Sequence, residues 1–282
     1  MKFARLGPVG HEIPTVVDGD RHLDLRPLTS DVTGDFLAAD PVSRVSAAIE
    51  AGRLPELDVD GLRIGAPIAR PSAVICVGMN YAAHAAESGA APPEIPIIFL
   101  KTPNTVVGPD DEVMIPRDSV KTDWEVELGV VIGRTARNVS EERAADFIAG
   151  YCVLNDVSER AFQMETTQWA KGKGCDTFGP TGPMGASPDC FPAPDNLTTR
   201  TVVNGEERQA DQTSNMIFSI AELVAFLSRI TTLATGDIIF TGTPEGIGAA
   251  QGLFLADGDL VTTTIEGIGT LTNTCIRVED WR

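Results

Sequence analysis

From Pro71 onward the chain alternates short apolar runs with Gly, Pro and Asp. Runs of roughly four to eight apolar residues bounded by such breakers are typical of buried strands joined by turns. The predicted strands are AVICVG (73–78), PIIFLK (96–101), VELGVVIG (126–133), YCVLND (151–156), GDIIFTG (236–242), DLVTTTIEG (259–267) and TLTNTCIRV (270–278). Because they do not alternate regularly with helices, the pattern favours a β-rich α+β fold over a doubly wound parallel sheet.

Helical patterns are few. A helix is expected where apolar residues recur on one face behind a capping residue. The predicted helices are a short one that starts at Asp40 and Pro41 and ends near Gly52, one over SEERAADFIAGY (140–151) with Ser140 as N-cap, and SIAELVAFLSRI (219–230), where Ser219 and Glu222 make a capping box.

The first 65 or so residues differ in texture from the rest. The stretches TVVDGD and RHLDLRPL alternate polar and apolar residues around a DG turn, which predicts short strands. We therefore predict a small N-terminal α/β domain, residues 1–65, followed by a larger β-rich domain, residues 66–282, that carries the chemistry.

Composition narrows the class of partner. Lys and Arg number 22 against 40 Asp and Glu, a net charge of −18, which argues against nucleic acid or an anionic membrane as partner. No apolar run approaches the roughly 20 residues of a membrane span, and the first residues lack the apolar core of a signal peptide, so a cytoplasmic protein is expected. Five cysteines without a CxxC pair disfavour a disulfide scaffold or a thiolate zinc site.

Two glutamates stand two residues apart in the most apolar predicted strand. Side chains alternate along a strand, so Glu125 and Glu127 point to one side while Trp124, Val126 and Leu128 point to the other. Paired carboxylates in such a setting need a cation, a shared proton or water. An edge strand with a wet polar face is the commoner explanation of this pattern and stays open.

A third carboxylate follows another predicted strand. Asp156 closes YCVLND, where the apolar run gives way to polar residues. Three carboxylates suit a hard cation such as Mg²⁺, Mn²⁺ or Ca²⁺. Taken alone, Asp156 could equally be a turn residue or a helix cap.

An imidazole and a carboxylate share one face of a short Ala-rich helix. Asn80 is a possible cap for this helix, which ends before Gly89, and His84 and Glu87 are three residues apart within it. A carboxylate orients a neighbouring imidazole and supports its protonated form, as a general base requires. A solvent-facing pair is the alternative, but His84 is the only histidine beyond the N-terminal segment.

Two glycine-rich segments complete the candidates. Residues 171–183 are predicted to be a loop, whose lysines either contact an anionic substrate or lie on the surface. In residues 236–248 a strand leads into a Gly/Thr turn whose backbone N–H groups could bind a carboxylate. This turn lacks the GK[ST] ending of a P-loop, so no nucleotide site is predicted.

Taken together and in order, these segments resemble the fumarylacetoacetate hydrolase family. The matching segments are GMNYAAHAAE, FLKTPNTVVGP, DWEVELGVVIG, GYCVLNDVSERAFQ, KGKGCDTFGPTGP, NGEERQADQTSNMIFSIAELV and GDIIFTGTPEGIG. They span nearly all of residues 71–282, and their joint order is specific although no single segment is. The resemblance implies a mixed β-sandwich roll with a variable small N-terminal domain.

The resemblance also implies roles for individual residues. The family's metal ligands fall on Glu125, Glu127 and Asp156, and its catalytic His–Glu pair falls on His84 and Glu87, on a helix that acts as a mobile lid in the family. Polar positions that contact substrate fall on a further set: Lys173 rather than Lys171, Arg160, Gln163, and Thr243 of the TGTP turn. Gly174 stands where many relatives have Ser, so a hydroxyl contact is missing there.

The implied activity is metal-dependent hydrolysis of a C–C bond in a 2,4-dioxo acid, of the acylpyruvate or 2,4-diketo-3-deoxy sugar acid type. Its products are pyruvate and a second carboxylic acid. Oxaloacetate decarboxylation and ureidoglycolate lyase-like activity on the same site are the alternatives within the family, because a fold does not fix a reaction. Mg²⁺ or Mn²⁺ is the expected cofactor, with Ca²⁺ possible, and a homodimer acting on a small 2-oxo acid is expected.

Overall fold

The computed structural model describes residues 1–185 and 194–277. Its strands are β1 (Lys2–Leu6), β2 (Ile13–Asp18), β3 (Arg21–Asp24), β4 (Ile64–Gly65), β5 (Val74–Gly78), β6 (Ile97–Lys101), β7 (Val106–Val107), β8 (Val113–Ile115), β9 (Thr122–Asp123), β10 (Val126–Ile132), β11 (Ile148–Asn155), β12 (Ser158–Glu159), β13 (Gly179–Gly185), β14 (Thr198–Val203), β15 (Glu206–Gln212), β16 (Ile238–Phe240), β17 (Leu260–Ile265) and β18 (Gly269–Arg277).

The helices are few and short. The α-helices are α1 (Gly34–Ala38), α2 (Pro41–Glu50), α3 (Ala82–Glu87), α4 (Arg160–Gln163), α5 (Ala170–Lys173), α6 (Ile220–Ile230) and α7 (Gly248–Gln251), and short 3₁₀ helices cover Pro103–Thr105, Glu141–Phe147 and Thr213–Asn215. The β-rich α+β class predicted from the sequence is therefore confirmed, as are the seven predicted strands and the capping box that opens α6.

Two sheets form the body of the molecule. The larger has eleven strands among the described residues. Nine of them follow the order β3-β2-β1-β13-β11-β10-β16-β5-β6, while β4 pairs with β1 and β7 pairs with β13. The smaller has five strands in the order β15-β14-β17-β18-β8. Strand β10 lies in the interior of the larger sheet, and every residue of it is buried.

One large apolar core lies between the sheets. Val126, Leu128 and Val130 of β10 belong to one buried cluster with Ile265 and Leu271 of the smaller sheet. The apolar face of α6 joins the same cluster through Ile220, Leu223, Val224 and Leu227. The alternation read in the β10 sequence thus directs one set of side chains into this core.

The N-terminal segment continues the larger sheet. Strand β1 pairs antiparallel with β13, so β1, β2 and β3 extend the sheet beyond β13. Phe3 and Phe36 pack edge to face at 5.4 Å between ring centroids, in a cluster that includes Cys152 and Leu154 of β11. The division into domains at residue 65 stays a prediction.

Part of the predicted glycine-rich loop is a strand. Residues 179–185 form β13, which pairs with β11, β1 and β7. Gly179 shows how closely the neighbouring chain approaches, since a Cβ there would lie 3.2 Å from the carbonyl oxygen of Thr105, a tight contact. The sequence prediction of a loop was wrong here because the composition that breaks isolated strands also permits close approach of a neighbouring chain.

Two local predictions were also wrong. The expected helix from Ser140 is a 3₁₀ helix over Glu141–Phe147, and its predicted end belongs to β11, because pairing with β10 outweighs local propensity. Asn80 does not cap α3. Its side chain instead donates to the carbonyl oxygens of Phe218 and Thr241, at 3.0 and 2.7 Å.

Two expectations from composition can be compared with the structure. The described cysteines, at positions 76, 152, 175 and 275, are free thiols, and Cys190 lies outside the described residues. Among the described helices, none is both long and apolar enough to cross a lipid bilayer.

Candidate active site

The pairing of β10 with β11 brings three carboxylates together. Val126 pairs with Asn155, so the residues just outside these two strands, Glu125 and Asp156, are neighbours, and the Asp156 N–H donates to the Glu125 carbonyl at 2.9 Å. Glu127 follows Glu125 by two residues, so both side chains leave the same face of the chain, opposite Val126 and Leu128. One carboxylate oxygen from each of Glu125, Glu127 and Asp156 lies within 4.8 Å of the others, and all three residues are buried.

Buried cations surround two of these carboxylates. Lys173 Nζ lies 2.7 Å from Glu125 Oε2 and 2.6 Å from Asp156 Oδ2. Arg160 Nη2 donates to Glu125 Oε1 at 2.6 Å, and Lys101 Nζ donates to Asp156 Oδ1 at 2.5 Å. Glu127 has no such partner among the described residues and accepts one N–H, from Gly242, at 2.8 Å.

The pKa values of the two glutamates are displaced in opposite directions. Burial alone would raise the pKa of Glu125, but the charges of Lys173 and Arg160 hold it below its ordinary value. Burial raises the pKa of Glu127 well above its ordinary value, and the negative charges of Asp156 and Glu125 raise it further. The raised pKa means that the protein's own groups do not compensate a negative charge on Glu127.

The charge balance favours a cation. The buried ionisable groups joined in this cluster are the acids Asp123, Glu125, Glu127 and Asp156 and the bases Lys101, Arg160 and Lys173. The acids exceed the bases by one, and burying an uncompensated charge is costly. The donor set consists of carboxylate oxygens, so the site fits a hard divalent ion.

The His–Glu pair lies at the same cleft. Glu87 Oε1 accepts from His84 Nδ1 at 2.8 Å, and Glu87 Oε2 accepts from the Gly246 N–H at 2.9 Å. A carboxylate can only accept, so Nδ1 carries the hydrogen and Nε2 of the neutral ring keeps its lone pair. His84 is 7% exposed, which disagrees with a solvent-facing pair and leaves the imidazole in a sheltered position where it can act as a base.

Two packed single-turn helices position the remaining polar groups. Gly172 of α5 lies against α4, where a Cβ would come within 2.4 Å of the carbonyl oxygen of Glu159. This contact directs Lys173 into the carboxylate cluster, whereas Lys171 is exposed and pairs with Glu165. Arg160 Nη1 donates to Gln163 Oε1 at 3.0 Å, so both side chains are held in one orientation.

Thr243 is oriented by a residue that sequence reasoning missed. Gln209 of β15 donates through Nε2 to Thr243 Oγ1 at 2.9 Å, and its own Oε1 accepts from the Val126 N–H at 3.0 Å. The Thr243 oxygen accepts this bond, and its hydrogen has no acceptor among the described residues, so it can be donated to a ligand. Nothing in the local sequence distinguishes Gln209, because β15 is polar at nearly every position.

Asp123 and Lys101 were also missed. Asp123 is fully buried, and its two oxygens accept from the N–H groups of Trp124, Gly248 and Ala249 and from Arg160 Nε, at 2.6 to 3.0 Å. In both cases the sequence signal for a buried functional residue was a charged residue at the end of, or just before, an apolar stretch. Lys101 ends β6, and Asp123 precedes the glutamate pair.

Asp123→Asn is expected to weaken the hold on Arg160, which keeps its contacts with Glu125 and Gln163, and to lower kcat/KM of a reaction catalysed in this cleft about 10- to 100-fold. An amide offers a single oxygen, so its NH₂ group would face two of the present donors, and about 1–3 kcal/mol of stability should be lost as well. Asp237→Asn is the matched control, since Asp237 is a buried carboxylate that accepts from Ser72, Ala73 and Ala234 away from the cleft. Its activity per folded molecule should stay near wild type, and an equal loss of activity in both variants would contradict a positioning role.

A single cleft of about 360 Å³ contains these groups. Of the residues singled out from the sequence, those that line it are His84, Glu87, Glu125, Glu127, Arg160, Gln163, Lys173 and Thr243. Asp156 lies beneath the floor, completely buried, in contact with Lys173. The structure thus places acid, base and cation together within reach of a small ligand.

Comparison with known proteins identifies a matching protein family and a similar relative. The family described as fumarylacetoacetate (FAA) hydrolase C-terminal matches residues 73–276. A relative from Burkholderia lata, named no more specifically than as a hydrolase, is 45% identical over 274 residues that make up 95% of this chain and 96% of the relative.

Solved structures share the fold over the whole chain. The 5-carboxymethyl-2-hydroxymuconate delta-isomerase from Mycobacterium smegmatis is 36% identical with a TM-score of 0.79, covering 99% of this chain and 100% of that one. Maleylpyruvate hydrolase from Sphingobium sp. SYK-6, in complex with manganese(II) and pyruvate, is 27% identical with a TM-score of 0.82 and the same coverage, 99% and 100%. The chain belongs to the fumarylacetoacetate hydrolase family.

Proposed function

We propose that this chain is a divalent-metal-dependent hydrolase that cleaves the C3–C4 bond of 2,4-dioxo acids to give pyruvate and a second carboxylic acid. The observation that carries the proposal is the presence of the carboxylate cluster and the His84–Glu87 pair in one cleft. A family member that binds manganese and pyruvate supports the 2-oxo acid end of the substrate.

Glu125, Glu127 and Asp156 are the residues proposed to hold the metal. When bound, a divalent ion supplies Lewis acidity at the 2-oxo carboxylate end of the substrate. All-oxygen ligation suits Mg²⁺ or Mn²⁺ and also accommodates Ca²⁺. The raised pKa of Glu127 agrees with a site that has a deficit of positive charge.

The chain's own residues supply the proton transfers. His84 Nε2 takes a proton from water while Glu87 holds the ring and stabilises its charged form. The water oxygen forms a bond to C4, the C3–C4 bond breaks, and its electron pair leaves on C3 of the pyruvyl fragment as the enolate. The proton that His84 took then returns to C3.

Three polar side chains are proposed to hold substrate oxygens. Lys173 uses two of its N–H donors on Glu125 and Asp156, so the third is available to an oxyanion as charge develops. The Thr243 hydroxyl can donate to the substrate carboxylate. Gln163 accepts from Arg160 through its oxygen, which leaves its NH₂ group as a donor.

Removal of the metal is expected to stop the reaction. Pyruvate release from an alkyl acylpyruvate, followed with a coupled reductase, should require Mg²⁺ or Mn²⁺, disappear with EDTA and return when either ion is restored. Oxaloacetate is the discriminating second substrate, since its decarboxylation needs neither water attack nor the His84 base. Faster pyruvate release from oxaloacetate than from any acylpyruvate would instead indicate a decarboxylase.

Assembly and location stay predictions. The family resemblance suggests a homodimer, which sedimentation equilibrium would test, and the cytoplasmic location is proposed from the sequence pattern alone.

A further inference from the structure

The cleft has an apolar wall beside its charged floor. The side chains that form this wall are Val77, Met79, Phe99, Met164, Trp169 and Ile247. Phe99 and Trp169 pack edge to face at 5.5 Å between ring centroids. The indole lies directly over Gly78, where a Cβ would come within 2.7 Å of the ring. The wall is therefore built by specific packing, because the indole needs a glycine beneath it.

No cation that lines the cleft is left without a carboxylate, within the described residues. Arg160 donates to Asp123, Glu125 and Gln163 through its three nitrogens, and two of these partners are carboxylates that compensate its charge. Lys173 is shared by Glu125 and Asp156. The lining has one hydroxyl besides that of Thr243, on Ser88 at the end of α3, and it is uncharged. Among the described residues, the cleft thus offers a second substrate carboxylate no cation that is not already paired with a carboxylate of the protein.

We infer that this site selects 2-oxo acids whose far end is uncharged and apolar, an alkyl or aryl acyl group, over those that end in a second carboxylate or a polyhydroxylated chain. The inference rests on the proposed function for the position of the 2-oxo carboxylate end. An apolar chain gains binding free energy when it covers this wall, because apolar surface is removed from water. A carboxylate placed there loses its hydration, and no unpaired cation among the described residues of the cleft replaces it. Hydroxyl groups lose hydration in the same way.

Binding of two acids of equal length tests this without any cleavage. In the presence of Mn²⁺, 2-oxooctanoate and 2-oxooctanedioate differ only in the terminal carboxylate, and neither has the 4-oxo group that cleavage needs. We expect calorimetry to give a dissociation constant about tenfold or more lower for the monoacid, the scale on which pockets discriminate such groups. Equal or tighter binding of the diacid, or no binding of either acid, overturns the inference.

A charge placed at the wall should change this ratio. Met164 lines the cleft and is 75% exposed, so Met164→Lys can introduce an ammonium without a buried charge. It should bring the two dissociation constants close to each other. Ile230→Lys is the matched control, because Ile230 is 65% exposed at the end of α6 and lies outside the cleft, and it should leave the ratio unchanged. A ratio that Met164→Lys does not alter would contradict the placement of the substrate's far end at this wall.

The proposed function is tested separately in the same preparation. If acylpyruvates are not cleaved while the monoacid still binds more tightly, the C–C hydrolase proposal fails and the inference about the wall stands. If acylpyruvates are cleaved but the diacid binds as well as the monoacid, the C–C hydrolase proposal stands and the inference about the wall fails.

Discussion

Substituting glutamine for Glu127 is expected to abolish Mn²⁺ binding and to lower kcat/KM for an acylpyruvate on the order of a thousandfold or more. Glu127 is the one carboxylate of the cluster without a cationic partner in the described structure, so its charge is the one most directly available to a metal. The amide is a far poorer ligand for a hard cation. Calorimetric titration with Mn²⁺ measures the effect.

The same substitution should not lower the thermal stability of the metal-free protein. Burial and the neighbouring acids already raise the pKa of Glu127, so replacing it with a neutral isostere removes an unfavourable group, while the Gly242 N–H still finds an oxygen. Glu222→Gln is the control, since glutamine can keep the capping box of α6. Wild-type Mn²⁺ affinity in Glu127→Gln would contradict the metal site.

Replacing His84 with alanine is expected to separate metal binding from catalysis. Mn²⁺ affinity should stay near wild type, because the imidazole is hydrogen-bonded to Glu87 and to none of the three carboxylates. kcat should fall by about 10²- to 10⁴-fold, the usual contribution of a general base. Steady-state kinetics at saturating Mn²⁺ measure this.

His22→Ala is the matched control for that experiment. His22 lies on β3 at the far edge of the larger sheet and does not line the cleft, so its removal should change neither quantity. Full activity of His84→Ala would show that another group is the base. Loss of Mn²⁺ affinity would instead show that His84 is needed for the shape of the site.

The parts of the site that the sequence made predictable depend on local geometry. Strand alternation predicts that Glu125 and Glu127 leave one face, and a spacing of three residues on a helix predicts that His84 and Glu87 meet. The structure has both arrangements. The placement of Asp156 beside the glutamates needed the family resemblance, because strand pairing cannot be read from a single strand.

The parts that could not be predicted depend on contacts between distant segments. Gln209 reaches Thr243 from a strand of the smaller sheet, and Lys101 reaches Asp156 from β6, so neither interaction has a local signature. The burial of Asp123 depends on α7, whose first two N–H groups donate to its carboxylate from more than a hundred residues away in the chain. Composition was misleading in 179–185, where glycines allow β13 to pass close to its neighbours.

The fate of water oxygen during turnover tests the central claim most directly. An alkyl acylpyruvate is converted in H₂¹⁸O with Mn²⁺, and the products are analysed by mass spectrometry. We predict that the carboxylate of the second acid gains one labelled oxygen for each pyruvate formed, and that neither product appears with EDTA. Pyruvate formed with EDTA present, or carbon dioxide released without a labelled second acid, would contradict metal-dependent hydrolysis of the C–C bond.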